Sequence, residues 1–339
     1  MGFKSYVIRR TLAGIPVFIG LSILIFTLAR VLPGDPARLA LGPRATDEAV
    51  QSLRDHMGLD QPVPIQYLDY MAGLMRGDMG ISLTTNRNVA ADLVYFFPAT
   101  FELITVGMLI AILLGVPLGI IAGRNKDEAE DNASRLFAFF GVSMPAFWAA
   151  ILLQLLFAFY MGWLPATGRI GVDPPTRITG LMLVDSLIAM DFQAFRSALA
   201  HLVLPAFTLA LAPMADIARM TRSSFIEEFN KDYVHALHSS GIPEKLIAYK
   251  YVLKASFAAT LTIIALDYGF LIGSAFLIEI VFAWPGMARY GVNAILANDI
   301  NAIVGVTLVV GVVFILANLI VDILYGYLDP RVRYGGDEQ

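Results

Sequence analysis

Six separate runs of this chain stay apolar for about the 20 residues a helix needs to cross a ~30 Å hydrocarbon layer. They fall near 11–32, 100–123, 136–160, 201–221, 257–283 and 303–327. In lipid, every backbone N–H and C=O must find its partner within the segment or a closed barrel, and these runs are far too long for barrel strands. An all-α, polytopic membrane protein with six transmembrane helices is therefore expected. The composition agrees: 15% of residues are charged and 57% hydrophobic, whereas soluble domains carry about 25% charged residues. The fourth run is the least regular, since it contains Pro213, Asp216 and Arg219.

Lys4, Arg9 and Arg10 ahead of the first run mimic a signal peptide. That run is longer than a signal peptide's apolar region of about 7–15 residues, and more spans follow, so a retained first helix is expected. Six spans put both termini on one side, together with residues 124–135 and 219–256. The segments 1–10, 124–135, 219–256 and 328–339 hold three, three, six and two Lys or Arg residues, 14 of the chain's 24 in 72 residues. The excess of Lys and Arg predicts that this side, with both termini, is cytoplasmic. The 33–99 segment is then a long periplasmic loop. It opens on the turn signal Pro33-Gly34-Asp35-Pro36. Within it, Thr46 to Met57 reads as a surface helix closed by Gly58. Pro64 to Met75 reads as another, with Ile65, Leu68, Met71, Ala72 and Met75 at helical spacing.

Several kinds of chemistry are excluded. There is no cysteine, hence no disulfide and no thiol chemistry. A net charge of −4 points to no nucleic-acid partner. No Lys follows a Gly, so the phosphate-binding loop G-x-x-x-x-G-K-[ST] is absent, as are G-x-S-x-G and H-E-x-x-H. No catalytic residue, metal site or cofactor is expected in this chain. If ATP drives it, another chain binds the ATP and its Mg.

Polar residues inside spans are costly, so each asks for a role. Glu102, Glu279 and Asp322 lie near span ends, where structural or interfacial roles suffice. Asp216 and Arg219 are three residues apart on one helix face and can pair, or face a water-filled path. Gln154 and Asp267 lie deeper and suit either the pathway or an interhelical bond. Gly115, Gly119 and Gly123 recur every four residues, as do Gly269 and Gly273, a spacing that lets helix backbones approach closely.

Between the fourth and fifth spans lies KDYVHALHSSGIPEKLIAYKYVLKAS, residues 231–256. Ser223 or Ser224 can cap a helix running toward His238. Gly241 supplies the left-handed residue that ends helices, and Pro243 with Glu244 suits the start of the next. Tyr233, Ala236 and Leu237 share one face; Leu246, Ile247 and Tyr251 give the second helix an apolar side. Two ordered amphipathic helices in a connecting loop serve either the membrane surface or a docking partner. His235 and His238 alone, with no carboxylate at matching spacing, make a poor metal pair.

Asp232-Tyr233, five residues and then Ser239-Ser240-Gly241 resemble the cytoplasmic EAA loop of ABC importer permeases, whose pattern is E-A-A, three residues, G. Further stretches resemble the dipeptide/oligopeptide permease family in particular. They are Pro33-Gly34-Asp35-Pro36, the Gly77-to-Ser82 stretch GDMGIS, the Arg219-to-Ser224 stretch RMTRSS, the Glu279-to-Gly286 stretch EIVFAWPG and the Asp322-to-Arg333 stretch DILYGYLDPRVR. They keep their order from residue 33 to 333. The E-A-A positions read His235-Ala236-Leu237, and the segment after the loop, Leu253 to Ala259, lacks the family's Asn and Pro.

The resemblance implies a type I ABC importer permease with a coupling helix between helices 4 and 5, in a bacterial or archaeal inner membrane. It implies a second, homologous permease subunit, two ATPase subunits and a periplasmic or lipid-anchored binding protein that delivers peptide. It makes Asp232, Tyr233, His235, Ala236, Leu237, Gly241, Pro243 and Lys245 the ATPase-coupling loop. Gln154, Asp216, Arg219, Asp267 and Glu279 remain the candidate polar pathway or interhelical residues. Some such systems carry nickel or glutathione instead of peptides. An ion-coupled transporter and a membrane scaffold are the other classes, and neither needs an ATPase-docking loop.

Overall fold

A computed structural model describes residues 3–31, 36–42, 45–56 and 58–328. The turn expected at 33–35, Met57, and the stretch 329–333 lie outside the described residues. Helices dominate. In chain order they are α1 (Phe3–Val31), α2 (Pro36–Leu41), α3 (Asp47–His56), α4 (Val63–Met75), α5 (Val89–Arg124), α6 (Ala129–Ser143) and α7 (Ala146–Leu153, continued by a π-helical stretch Gln154–Tyr160). After an irregular connection come α8 (Met182–Ile188), α9 (Phe192–Phe229), α10 (Asp232–Ser239) and α11 (Glu244–Leu246). A π-helical stretch, Ile247–Val252, leads into α12 (Leu253–Val281), followed by α13 (Met287–Leu296) and α14 (Ile300–Leu328).

Among the described residues, five helices are long and apolar enough to cross a membrane: α1, α5, α9, the α11–α12 rod and α14. The segment expected as one span at 136–160 is two helices, α6 and α7, bent by 105°; taken together as one broken span they bring the total to six. The break falls at Met144-Pro145: Met144 is extended (ψ 122°), as a residue before proline prefers, and Pro145 starts α7 without an N–H to give.

Two helices exceed their expected apolar cores. α5 begins at Val89, where the Asn88 side chain accepts the Ala90 N–H at 2.8 Å. α9 runs to Phe229, so Ser223 and Ser224 lie inside it and cap nothing. The helix continues because Phe225, on its far end, is fully buried against α5.

The core is the α5–α9 contact, joined by α12 and α13. Gly115, Gly119 and Gly123 form the seam: a methyl group at Gly119 would sit 2.6 Å from both the Ala218 carbonyl oxygen and Thr221 Cβ. The second pair of glycines divides. Gly269 receives the Phe314 ring of α14, whereas Gly273 faces open space. α6 packs on α9 through Gly141 against Ala215 and Leu211. α1 and α14 pack together at the periphery, pinned by the Arg10–Asp322 ion pair.

α3 and α4 occupy the loop after α1, and Gly58 adopts φ +61° just beyond α3. α4 turns a different side inward from the one its apolar spacing predicts. Gln66 is buried and Tyr67 and Tyr70 pack on Phe26 of α1, leaving Ile65, Leu68 and Met75 exposed. Gln66 is held there by donating to the Leu59 and Gln61 carbonyls.

Candidate functional site

The polar stretch between α9 and α12 is built from local rules. Lys231 is extended (ψ 150°) and its carbonyl accepts the Val234 N–H at 2.9 Å, which starts α10. At the other end Gly241 takes φ +74°. Its N–H donates to the His238 carbonyl (2.9 Å) and the Ile242 N–H to the Leu237 carbonyl (3.3 Å), the Schellman pattern. Ile242 and Leu237 then lie in the same apolar cluster, the side-chain contact that usually accompanies this cap. Pro243 begins the next helix, its carbonyl accepting the Leu246 and Ile247 N–H groups.

This hairpin is anchored to the bundle. Val234, Ile247, Ala248 and Val252 are buried with Ile120 of α5 and Phe225 of α9. Burying one such aliphatic side chain stabilises by roughly 1.5–3 kcal/mol. Arg124, at the end of α5, pairs with Glu244 at 3.0 Å. Lys231 pairs with Glu228 at 2.5 Å, which raises the lysine's pKa. Burial, with the Glu228 carboxylate second, pushes the Tyr233 hydroxyl up to about 12. The face turned to the core is therefore Val234 and Leu237, rather than Tyr233 with Ala236. Of the second trio, Ile247 is buried, Tyr251 half-buried and Leu246 exposed. What remains outward is Asp232, Tyr233, His235, Ala236, Gly241, Pro243 and Lys245, with Leu237 half-buried beneath them. His238 directs Nδ1 to the Val234 carbonyl (3.0 Å).

A residue that sequence reasoning missed holds the base of this region. Asp131 of α6 is fully buried and accepts from Arg222 of α9 (2.5 and 2.8 Å), Arg135 (2.8 Å) and the Asp127 N–H (2.9 Å). Its one sequence signal was Arg135 four residues later, a spacing that favours pairing on a helix.

The candidate pathway residues separate in space. Asp216 and Arg219 pair at 2.6 Å on α9, Arg219 exposed and Asp216 half-buried. In α12, Asp267 Oδ2 is buried without a hydrogen-bond partner among the described residues. Gln154 donates to the Ala166 carbonyl at 2.7 Å, holding the chain after α7. Glu279 is fully buried: it accepts from Thr100 Oγ1 (2.5 Å) and the Arg289 N–H (2.7 Å). Beside it Trp284 donates to the Ala99 carbonyl at 2.9 Å. Glu279 thus clamps the turn after α12 onto α5. Glu102 similarly receives Arg169 (2.6 Å) and the Leu183 N–H (2.8 Å), fastening the connection 161–191 across the bundle end opposite α10. In that connection Asp185 collects the Ile178, Thr179 and Gly180 N–H groups. Burial opposes its ionisation, but those donors hold its pKa below the usual value.

A bundle of long apolar helices with an anchored, outward-facing polar hairpin defines a multi-pass membrane protein. Residues 115–334 match the family described as binding-protein-dependent transport system inner membrane component, and residues 3–104 match its N-terminal counterpart. The chain belongs to this family, and is therefore an inner-membrane permease subunit rather than an enzyme, with ATP hydrolysis in a separate subunit. Three relatives span it almost end to end. It is 39% identical over 340 residues to a probable D,D-dipeptide transport system permease protein of Escherichia coli (strain K12), covering 100% of both chains. It is 40% identical over 331 residues to a dipeptide transport system permease protein of Alkalihalophilus pseudofirmus, covering 97% of this chain and 99% of that one. It is 34% identical over 330 residues to a glutathione transport system permease protein of Escherichia coli O6:H1, again covering 97% and 99%.

Proposed function

We propose that this chain is the permease subunit of an ATP-driven importer of dipeptides or short oligopeptides. It forms half of the translocation path beside a second, homologous permease. The observation that carries this reading is similarity over nearly the full length to peptide permeases. A binding protein delivers the peptide at the end closed by residues 161–191. Two ATPase subunits, which hold ATP and Mg, work at the opposite end, one of them gripping the exposed residues of α10 and its Gly241 turn. The termini and α10 lie in the cytoplasm, a reading supported by the excess of Lys and Arg on that side. A glutathione importer is the second reading, favoured by the 34% identical relative.

The test is ATP-driven uptake into vesicles holding the complete importer, with labelled dipeptide and labelled glutathione supplied on the cognate binding protein. Dipeptide uptake is expected; uptake of glutathione alone would favour the second reading. Gly241→Asp probes the docking hairpin. A Cβ at Gly241 meets nothing within 4 Å, so the strain is the left-handed backbone alone, about 1–2 kcal/mol. The variant is expected to insert normally yet lose coupling of ATP hydrolysis to uptake. Unchanged uptake would remove the docking role from this turn.

A further inference from the structure

We propose that α4 lies in the plane of the membrane, its apolar stripe set into the lipid of the leaflet away from α10. Ile65, Leu68, Ala72 and Met75 follow at steps of three, four and three, so they share one helix face. Ile65, Leu68 and Met75 are exposed, Met75 at 84%. At 3.6 residues per turn, Tyr67 and Tyr70 flank the stripe on one side, and Gln66 and Asp69 flank it on the other.

The depth of α4 follows from what the two tyrosines touch. Tyr67 Oη lies 2.8 Å from Ser22 Oγ of α1. The Tyr67 and Tyr70 rings pack on Phe26, with centroids 5.4 and 5.6 Å from it. Ser22 and Phe26 belong to the apolar stretch Ser5–Thr27, which is long enough to cross a membrane. Arg30 is the next charged residue after that stretch. From Ser22 to Thr27 an α-helix rises about 7.5 Å. In-plane amphipathic helices bury their apolar face to roughly that depth, ~5–10 Å.

What covers the stripe follows from its neighbours. α1 meets α14 through Gly14 and Leu21, which approach Ile315 and Gly311. On the other flank of α1, beside Ser22 and Phe26, Ile19 and Ile23 are apolar and exposed. The α4 stripe therefore continues an apolar surface at membrane depth, and acyl chains fit both. Asp69, exposed on the edge away from the tyrosines, is left for the headgroup layer. The chain leaving α4 is fastened at the same surface. Ser82 and Thr84 hydroxyls donate to Asp299 (2.6 and 3.2 Å), the residue before the apolar stretch of α14. The proposal needs only that α1 and α14 cross the membrane, and it goes beyond the transport reading.

The chain has no cysteine, so Leu68→Cys, Met75→Cys and, on the exposed side of α3, Glu48→Cys each introduce one thiol. Each variant is assembled into the complete importer, with the other subunits cysteine-free, and labelled with bimane. The importer is held in nanodiscs of phosphatidylethanolamine and phosphatidylglycerol, with plain or brominated acyl chains. Bromine is expected to lower the fluorescence at residues 68 and 75 about twofold or more, and to leave residue 48 nearly unchanged. Quenching at 68 and 75 no greater than at 48, with or without the binding protein, would overturn the proposal. Shielding of both positions from aqueous iodide only when the binding protein is added would also overturn it, and would give the stripe to that protein. Either result leaves the transport reading intact, since peptide uptake tests that separately.

Discussion

At the scale of single residues, Asp131 shows how one buried charge can set helix placement. It is fully buried, yet it receives two arginines and a backbone N–H. Removing one partner of such a pair strands the other, at about 3–5 kcal/mol when both are buried. Arg135 is half exposed here, so Asp131→Ala is expected to cost nearer ~3 kcal/mol. Thermal unfolding of the purified importer would register the drop, with Asp131→Glu losing less; an unchanged midpoint would mean the pair is not structural. Glu279 is the same kind of residue at the other end. Its place near a span end suggested a structural or interfacial role, and its partners, Thr100 and the Arg289 N–H, could not be read from the sequence.

At the scale of elements, the α5–α9 seam rests on close backbone approach. At Gly119 a side chain would meet a carbonyl oxygen and a β-carbon, neither of which can swing away. Gly119→Val is therefore expected to destabilise by about 1–3 kcal/mol through overpacking. Gly273→Ala, with nothing within 4 Å, is expected to be neutral or slightly stabilising, since alanine favours a helix by about 1 kcal/mol over glycine. Expression yield and unfolding temperature of the two variants, measured side by side, check this contrast; equal losses would disprove the seam. The glycine triplet and the glycine pair looked alike in sequence because spacing says which residues share a face, and nothing about what opposes it. The same limit applied to α4, whose apolar stripe was legible but whose inward side was taken by Gln66, Tyr67 and Tyr70.

At the scale of the whole molecule, the helix connections at the α10 end are tied by Arg124–Glu244 and Asp131–Arg222. Those at the other end are tied by Arg169–Glu102 and Thr100–Glu279. Polar pairs thus tie the helix connections at both ends of the bundle. With α10 in the cytoplasm, alkaline phosphatase inserted near residue 172 is expected to be active. The same enzyme inserted near residue 240 should be inactive. The reverse pattern would invert the orientation and move the docking hairpin to the outer face.

The sequence by itself determined the helical membrane class, the positions of the long apolar segments, the hairpin with its Gly241 stop, and the absence of a phosphate loop. These are local properties: chain length against bilayer thickness, backbone conformation and residue chemistry. Only the tertiary structure decided that the segment at 136–160 bends by 105°, that α9 runs on to Phe229, and that Val234 rather than Tyr233 turns inward. It also decided which polar residues bind helices together and which, like Arg219, stay exposed. Those outcomes depend on what stands opposite each residue, and in a bundle the opposing residue can lie more than a hundred positions away along the chain.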